Sequence, residues 1–154
     1  MDATELLKKD HEAVRQLFAE FESAESDQDQ LDVYEDLREE LTIHAKIEEE
    51  IFYPAIREAN SDTSARQVEE AMNEHQQVKA MLGILDSMVA EIGPDFAETI
   101  RMLAERVEHH VQEEENDIFV SARKLGDERL RELGDRLQHR KDQIMSEELD
   151  EQSA

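Results

Sequence analysis

Four histidines and two glutamates recur in this chain at spacings that suit the capture of metal ions. His44 and Glu48 stand four residues apart, and so do His110 and Glu114. On a helix, such a pair lies on one face, one turn apart, so an imidazole nitrogen and a carboxylate oxygen can converge on a single ion. His11 and His75 each follow an acidic residue: Asp10-His11 with Val14 recurs 64 residues later as Glu74-His75 with Val78. His44-x-x-x-Glu48-Glu49 recurs 66 residues later as His110-x-x-x-Glu114-Glu115. A chain made of two such halves is expected to have approximate twofold symmetry, with the polar residues of both halves at one shared level.

All four histidines stand where the apolar pattern otherwise carries Leu, Val, Phe or Ile. Burying imidazoles, and still more the carboxylates of Glu48 and Glu114, costs several kcal/mol per charged group unless each finds a partner. Metal ions supply that partner. Two carboxylates can each bridge two ions while two histidines cap each ion. The chain has no cysteine, which excludes disulfides, iron-sulfur clusters and thiolate zinc sites. Nitrogen and oxygen ligands favour divalent first-row metals, and carboxylate-bridged pairs in helix bundles usually hold iron or manganese. A single histidine at such a position is more often a hydrogen-bonded core residue. Four together reverse that reading, and a metal-free polar network is its competitor.

The elements that must position these residues are helices. Apolar residues spaced by three and four run through Leu7, His11, Val14, Phe18, Phe21; then, after a polar break from Ser23 to Asp29, through Tyr34, Leu37, Leu41, His44, Glu48, Ile51, Ala55. This second helix is expected to end near Asn60. A cap-like cluster, Ser61 to Ser64, precedes Val68, Ala71, His75, Val78, Leu82, Leu85, Val89. Gly93-Pro94 closes that helix and opens Phe96, Ile100, Leu103, Val107, His110, Glu114, Ile118, which Gly126 stops. A fifth segment, Leu130, Leu133, Leu137, Ile144, is expected to lie against the bundle. Short connections predict an all-α, up-down-up-down four-helix bundle with a shorter C-terminal fifth helix. The expected domain covers 1–145, followed by a frayed acidic tail over 146–154.

The pattern Asp10-His11, His44-x-x-x-Glu48, Glu74-His75, His110-x-x-x-Glu114 resembles the hemerythrin HHE cation-binding family over about the first 125 residues. The resemblance implies two iron ions joined by an oxo or hydroxo bridge, and binding of dioxygen or related small molecules. It also implies that His11 and His44 serve one iron, His75 and His110 the other, and that Glu48 and Glu114 bridge. Oxygen-carrying hemerythrins have a further histidine four residues after the one on the third helix, where this chain has Lys79. An ammonium cannot coordinate, so Lys79 is expected to carry its charge outward to water, as is Arg15 at the matching place in helix 1. The pattern is closer to HHE-type iron sensors than to oxygen carriers.

Other polar residues are read as bystanders. Glu49, Glu113 and Glu115 sit one position off the seam and are expected to be solvated. His109 and His139 are off their stripes and read as surface residues. Pro54 is expected to kink helix 2, although its counterpart in the second half is Val120. Met72, Met81, Met88 and Met102 read as core or near-core filling. Tyr34, roughly 15 Å along the helix from His44, is too far to reach the site. Tyr53 is left unplaced by its spacing.

Composition narrows the function. There are 41 acidic against 17 basic residues, and the net charge of -24 repels phosphate backbones and anionic lipid, which argues against nucleic acid and membrane as partners. So acidic a surface with only six lysines is also the pattern of halophilic proteins. The N-terminus lacks the character of a signal peptide, and no apolar run is long enough to span a bilayer, so a soluble cytoplasmic protein is expected. The leading expectation is a di-iron protein that binds or senses dioxygen, nitric oxide or iron, acting through a protein partner or as a homodimer. The alternative is an enzyme, a di-iron peroxidase, catalase-like protein or ferroxidase acting on small oxidants such as peroxide.

Overall fold

The computed structural model of the chain describes residues 1–59 and 62–153, and the only regular structure among them is helical. Helix α1 spans Ala3–Ser23 and α2 spans Asp27–Ile47. A π-helical turn, Glu48–Phe52, carries α2 directly into α3, Tyr53–Glu58. Helix α4 spans Asp62–Met88 and α5 spans Pro94–Glu113; a second π turn, Glu114–Ile118, leads into α6, Phe119–Arg123. Helix α7 covers Asp127–Ser153. Five long helices result, because each π turn joins two helical pieces without a break. The expected end of helix 2 at Asn60 and the start of the cap-like cluster at Ser61 lie outside the described residues.

Local chemistry accounts for the ends. Asp2 and Ser26 accept hydrogen bonds from the backbone N–H groups of Glu5 and Asp29, satisfying donors that have no partner within the helix. Pro94 opens α5, where a missing N–H costs nothing. Gly126, with φ of 91°, ends the run through α6 in a left-handed conformation that side chains disfavour.

α1 packs along α2 and α4 along α5, while α7 lies against α1, α2 and the first π turn. The apolar interior forms two clusters. One holds Phe52, Ile56, Phe119 and the α7 residues Leu130, Leu133 and Leu137; the other holds Phe21, Tyr34, Leu85, Phe96 and Leu103. The polar residues of the seam fall between them, so apolar packing clamps their level from both ends.

Three features differ from the sequence-based expectations. α7 is 27 residues long, equal to α4, and no helix shortens at Ser146. Its exposed face is tied to itself and its neighbours by Arg129–Glu132 and Arg140–Glu50, both at 2.7 Å, which helps an otherwise polar segment stay helical. Met102 is 52% exposed, off the α5 stripe of Ile100 and Leu103. The irregularity expected at Pro54 is a π turn that begins six residues before it and recurs where the matching residue is Val120, so proline is not its cause.

α7 also approaches the N-terminus closely. A Cβ on Gly134 would collide with the Met1 carbonyl oxygen and stand 2.8 Å from the Asp2 carbonyl carbon, both backbone atoms that cannot swing aside. Gly134→Ala is therefore expected to destabilise the protein by about 1–3 kcal/mol through overpacking, although alanine favours the helix. Thermal denaturation would measure it, and an unchanged or higher melting temperature would refute this reading of the contact.

Candidate metal centre

The site begins with the two π turns. In each, the N–H of the residue that follows bonds to the carbonyl five residues back: Tyr53 to Glu48, and Phe119 to Glu114. The extra residue turns the following helix by about 100° relative to a continuous α-helix. Ile51, Phe52 and Tyr53 are consequently all buried in succession, which no single α-helical face permits. Glu48 and Glu114 stand at the first position of each π turn, fully buried at 0% exposure.

Around these carboxylates four imidazoles converge through Nε2. His44 Nε2 lies 3.1 Å and His75 Nε2 3.2 Å from Glu48 Oε1. His11 Nε2 lies 3.2 Å from Glu114 Oε1, and His110 Nε2 lies 3.4 Å from Glu114 Oε2. The rings meet in pairs edge to face, His11 with His44 at 5.0 Å between centroids and His75 with His110 at 4.8 Å. Two overlapping groups result, His11-His44-Glu48-Glu114 and Glu48-His75-His110-Glu114, with the donor atoms of each group within 4.8 Å of one another. All six residues singled out in the sequence are thus brought together, and both glutamates belong to both groups.

Every Nδ1 is in turn held by a carboxylate. His44 Nδ1 donates to Asp10 at 2.9 Å, His110 to Glu74 at 2.7 Å, His75 to Glu49 at 3.0 Å and His11 to Glu115 at 2.7 Å. A carboxylate can only accept, so it places a proton on Nδ1, and the lone pair that a ring offers when it gives up its other proton is the inward-facing one on Nε2. The arrangement obeys the internal repeat: the acid before each helix-1-type histidine holds the helix-2-type one, and the acid after each bridging-type glutamate holds the helix-1-type one. Asp10 alone gains a lysine, with Lys141 Nζ of α7 at 2.5 Å from Oδ1. Burial raises the Asp10 carboxyl, but His44 and Lys141 outweigh it and hold the group below its usual range.

The donor set fits a pair of cations. His11 Nε2, His44 Nε2, both oxygens of Glu48 and Oε1 of Glu114 are buried without a hydrogen-bond partner. Five orphaned polar atoms in one place are costly in a protein interior, and all are lone-pair donors. Such a set is satisfied by divalent cations with nitrogen and oxygen ligands, and the overlap of the two groups suits a binuclear centre.

Glu49 and Glu115, expected to be solvated, instead bind imidazoles with side chains only 30% and 26% exposed. Their partners His75 and His11 lie on neighbouring helices, so packing sets these contacts. Tyr53, unplaced by its spacing, donates its hydroxyl to Glu114 Oε2 and lies 3.4 Å from His75 Nε2. Burial raises its phenol well above the ordinary value and the Glu114 and Glu48 carboxylates add to this, so it stays protonated. The repeated Asp-His and Glu-His pairs and the repeated Glu-Glu pairs carried the signal for the outer carboxylates. Nothing in the spacing pointed to Tyr53 or Lys141. His109 and His139 are exposed, and so is Lys79. His109 pairs with Glu113 at 2.9 Å. Tyr34 is committed elsewhere, donating to Asp86 at 2.6 Å.

Comparison with known proteins adds to this geometry. The profile of the hemerythrin HHE cation binding domain matches residues 2–122. A DNA nickase of Nostoc sp. is 28% identical over 123 residues, 80% of this chain but only 34% of the nickase. Uncharacterized proteins of Mycobacterium tuberculosis and Mycobacterium bovis are 26% identical over 147 residues, 94% of this chain and 88% of theirs. No solved structure matches the chain significantly.

Proposed function

Given that the chain belongs to the hemerythrin HHE cation-binding family, we propose that it is a non-heme di-iron protein that binds or senses a small molecule such as dioxygen or nitric oxide. The observation that carries this reading is the convergence of four Nε2 lone pairs and two bridging-type carboxylates beside a small apolar cavity of about 40 Å³. His11 and His44 would hold one ion and His75 and His110 the other, with Glu48 and Glu114 available to both. Iron at such a centre supplies positions at which a small ligand binds and, with reductant or oxidant, changes of oxidation state.

The chain's own residues do the rest. Asp10, Glu49, Glu74 and Glu115 fix the imidazole tautomers, and the apolar walls Val14, Leu41, Val107 and Val111 keep water sparse over the histidines. A cavity of this size admits a molecule of two or three heavy atoms and excludes larger substrates. The Tyr53 phenol at Glu114 favours a second reading, in which the protein disproportionates hydrogen peroxide to water and dioxygen, because it places a protonated group inside the site. Oxygen release from peroxide well above that of free iron would select this reading. This chain spans only 34% of the nickase's length, and its net charge of -24 opposes DNA. Among the described residues, no helix is long and apolar enough to cross a membrane.

Metal analysis of anaerobically prepared protein tests the assignment, with two irons per chain expected. Zinc alone, or a single ion, would overturn it. His75→Ala and His110→Ala are each expected to lower occupancy of the same ion, whereas His139→Ala leaves both in place. Metal loss in the His139 variant would mean that α7 contributes in a way the geometry does not support.

A further inference from the structure

The internal repeat makes the two long faces of the bundle comparable position by position, and they differ at the level of the histidines. On the α1–α5 face, Arg15 donates to both oxygens of Glu108 at 2.9 Å, and Val111, three residues on from Glu108, is buried and lines the inner cavity. The corresponding positions on the α2–α4 face are Lys79, Thr42 and Ala45. Lys79 forms no ion pair or hydrogen bond among the described residues, and Ala45 is smaller than valine and half-buried. At this level the α1–α5 face is closed by a bidentate ion pair and a β-branched side chain, and the α2–α4 face has neither; its own bidentate pair, Arg38 with Asp86 at 2.7 Å, lies further along α2 and α4.

The empty space follows the same asymmetry. A surface groove of about 440 Å³ runs between α2 and α4, and it shares four of its lining residues, Leu41, Ala45, His75 and Val78, with the inner cavity over the histidines. Ala45 and Val78 therefore stand between solvent and site. The rim carries Lys46 and Lys79, beside an Arg38 already paired with Asp86, in a chain with 17 basic residues against 41 acidic ones. Its two carboxylates are engaged: Glu49 accepts from His75 Nδ1, and Glu50 pairs with Arg140.

We propose that the α2–α4 groove is the entry route for the small ligand, with Ala45 and Val78 as its neck and Lys79 as a cationic rim that draws in small anions of two or three heavy atoms. The assignment rests on the di-metal reading above and gives Lys79 a role outside the coordination sphere. A local positive rim on a strongly negative protein offsets long-range repulsion of anions, an effect on association rate that salt screens.

Two measurements test it. In the iron-loaded protein, stopped-flow absorption would follow azide binding. Ala45→Leu is expected to slow association about tenfold while shifting affinity far less, since a blocked neck hinders entry and exit alike. Lys79→Glu is expected to slow azide at low salt, with the difference fading as salt rises. In metal-free protein, exchange of xenon with the cavity, read by 129Xe NMR, should slow in Ala45→Leu and be unaffected in Lys79→Glu, because xenon is uncharged. An unchanged azide rate or an unchanged xenon exchange in Ala45→Leu, at wild-type melting temperature, overturns the route. Absence of any azide band in the wild type would defeat the di-iron reading, while the xenon measurement would still decide the route.

Discussion

Glu48→Gln is expected to empty both metal positions, a larger loss than any single histidine replacement should cause. Glu48 belongs to both donor groups, is fully buried, and lies within 3.2 Å of an imidazole from each pair, His44 and His75. Glutamine keeps the volume but removes the charge and substitutes an NH2 that can only donate for one of two oxygens that can only accept. One amide oxygen cannot bridge in the same manner, and the NH2 would face cations. Glu49→Gln is the informative control, since it alters only the hydrogen bond to His75 Nδ1. Replacing such an outer partner typically lowers metal affinity by about 10–100-fold, so Glu49→Gln should still load both ions at saturating iron. Metal analysis of the two variants after identical loading distinguishes them. Retention of both ions in Glu48→Gln would show that Glu48 is not shared between them.

Stripping the metal should lower the melting temperature by roughly 8–16 °C. The stabilisation by a ligand present at about a thousandfold over its dissociation constant is about 4 kcal/mol, and a protein of this size shifts by about 2–4 °C per kcal/mol. The gap should depend on pH, and its sign can be worked out from the metal-free site. Burial lowers the His44, His75 and His110 pKa values, but the surrounding carboxylates outweigh it and raise all three, His110 to about 10. Groups raised on folding stabilise the stripped protein fully below their unfolded value near 6.5, and that contribution is lost as pH rises through the folded values. Metal binding also requires these rings to be unprotonated, so protons compete with it. The difference in melting temperature between loaded and stripped protein should therefore widen from about pH 6.5 toward pH 9. Calorimetry with and without chelator would measure it. A gap that is absent, or that narrows as pH rises, would mean that the polar cluster satisfies itself without metal.

Much of this protein is legible in one dimension. Helical spacing of apolar residues located the long helices, since a face must be continuous to bury itself, and nearly every seam position from Leu7 to Ile144 is buried. The six clustered residues were legible for the same reason: His11, His44, Glu48, His75, His110 and Glu114 interrupt an apolar stripe in phase, and the internal repeat places them at one level. What periodicity could not provide is whatever depends on a change of phase or on a contact distant in the chain. Glu49 and Glu115 hold His75 and His11, which belong to other helices, so the contacts depend on where α4 and α1 pack; the π turns at Glu48 and Glu114 shift the helical register of the residues that follow. The same shift buries Tyr53 against Glu114. Lys141 meets Asp10 across 131 residues, and Arg15 meets Glu108 across 93, pairings set by how α7 and α5 dock on α1. A local pattern specifies which face of a helix is apolar. Only the packing of helices decides which polar side chains at the edge of that face find each other, because each partner's position is fixed by a different part of the chain.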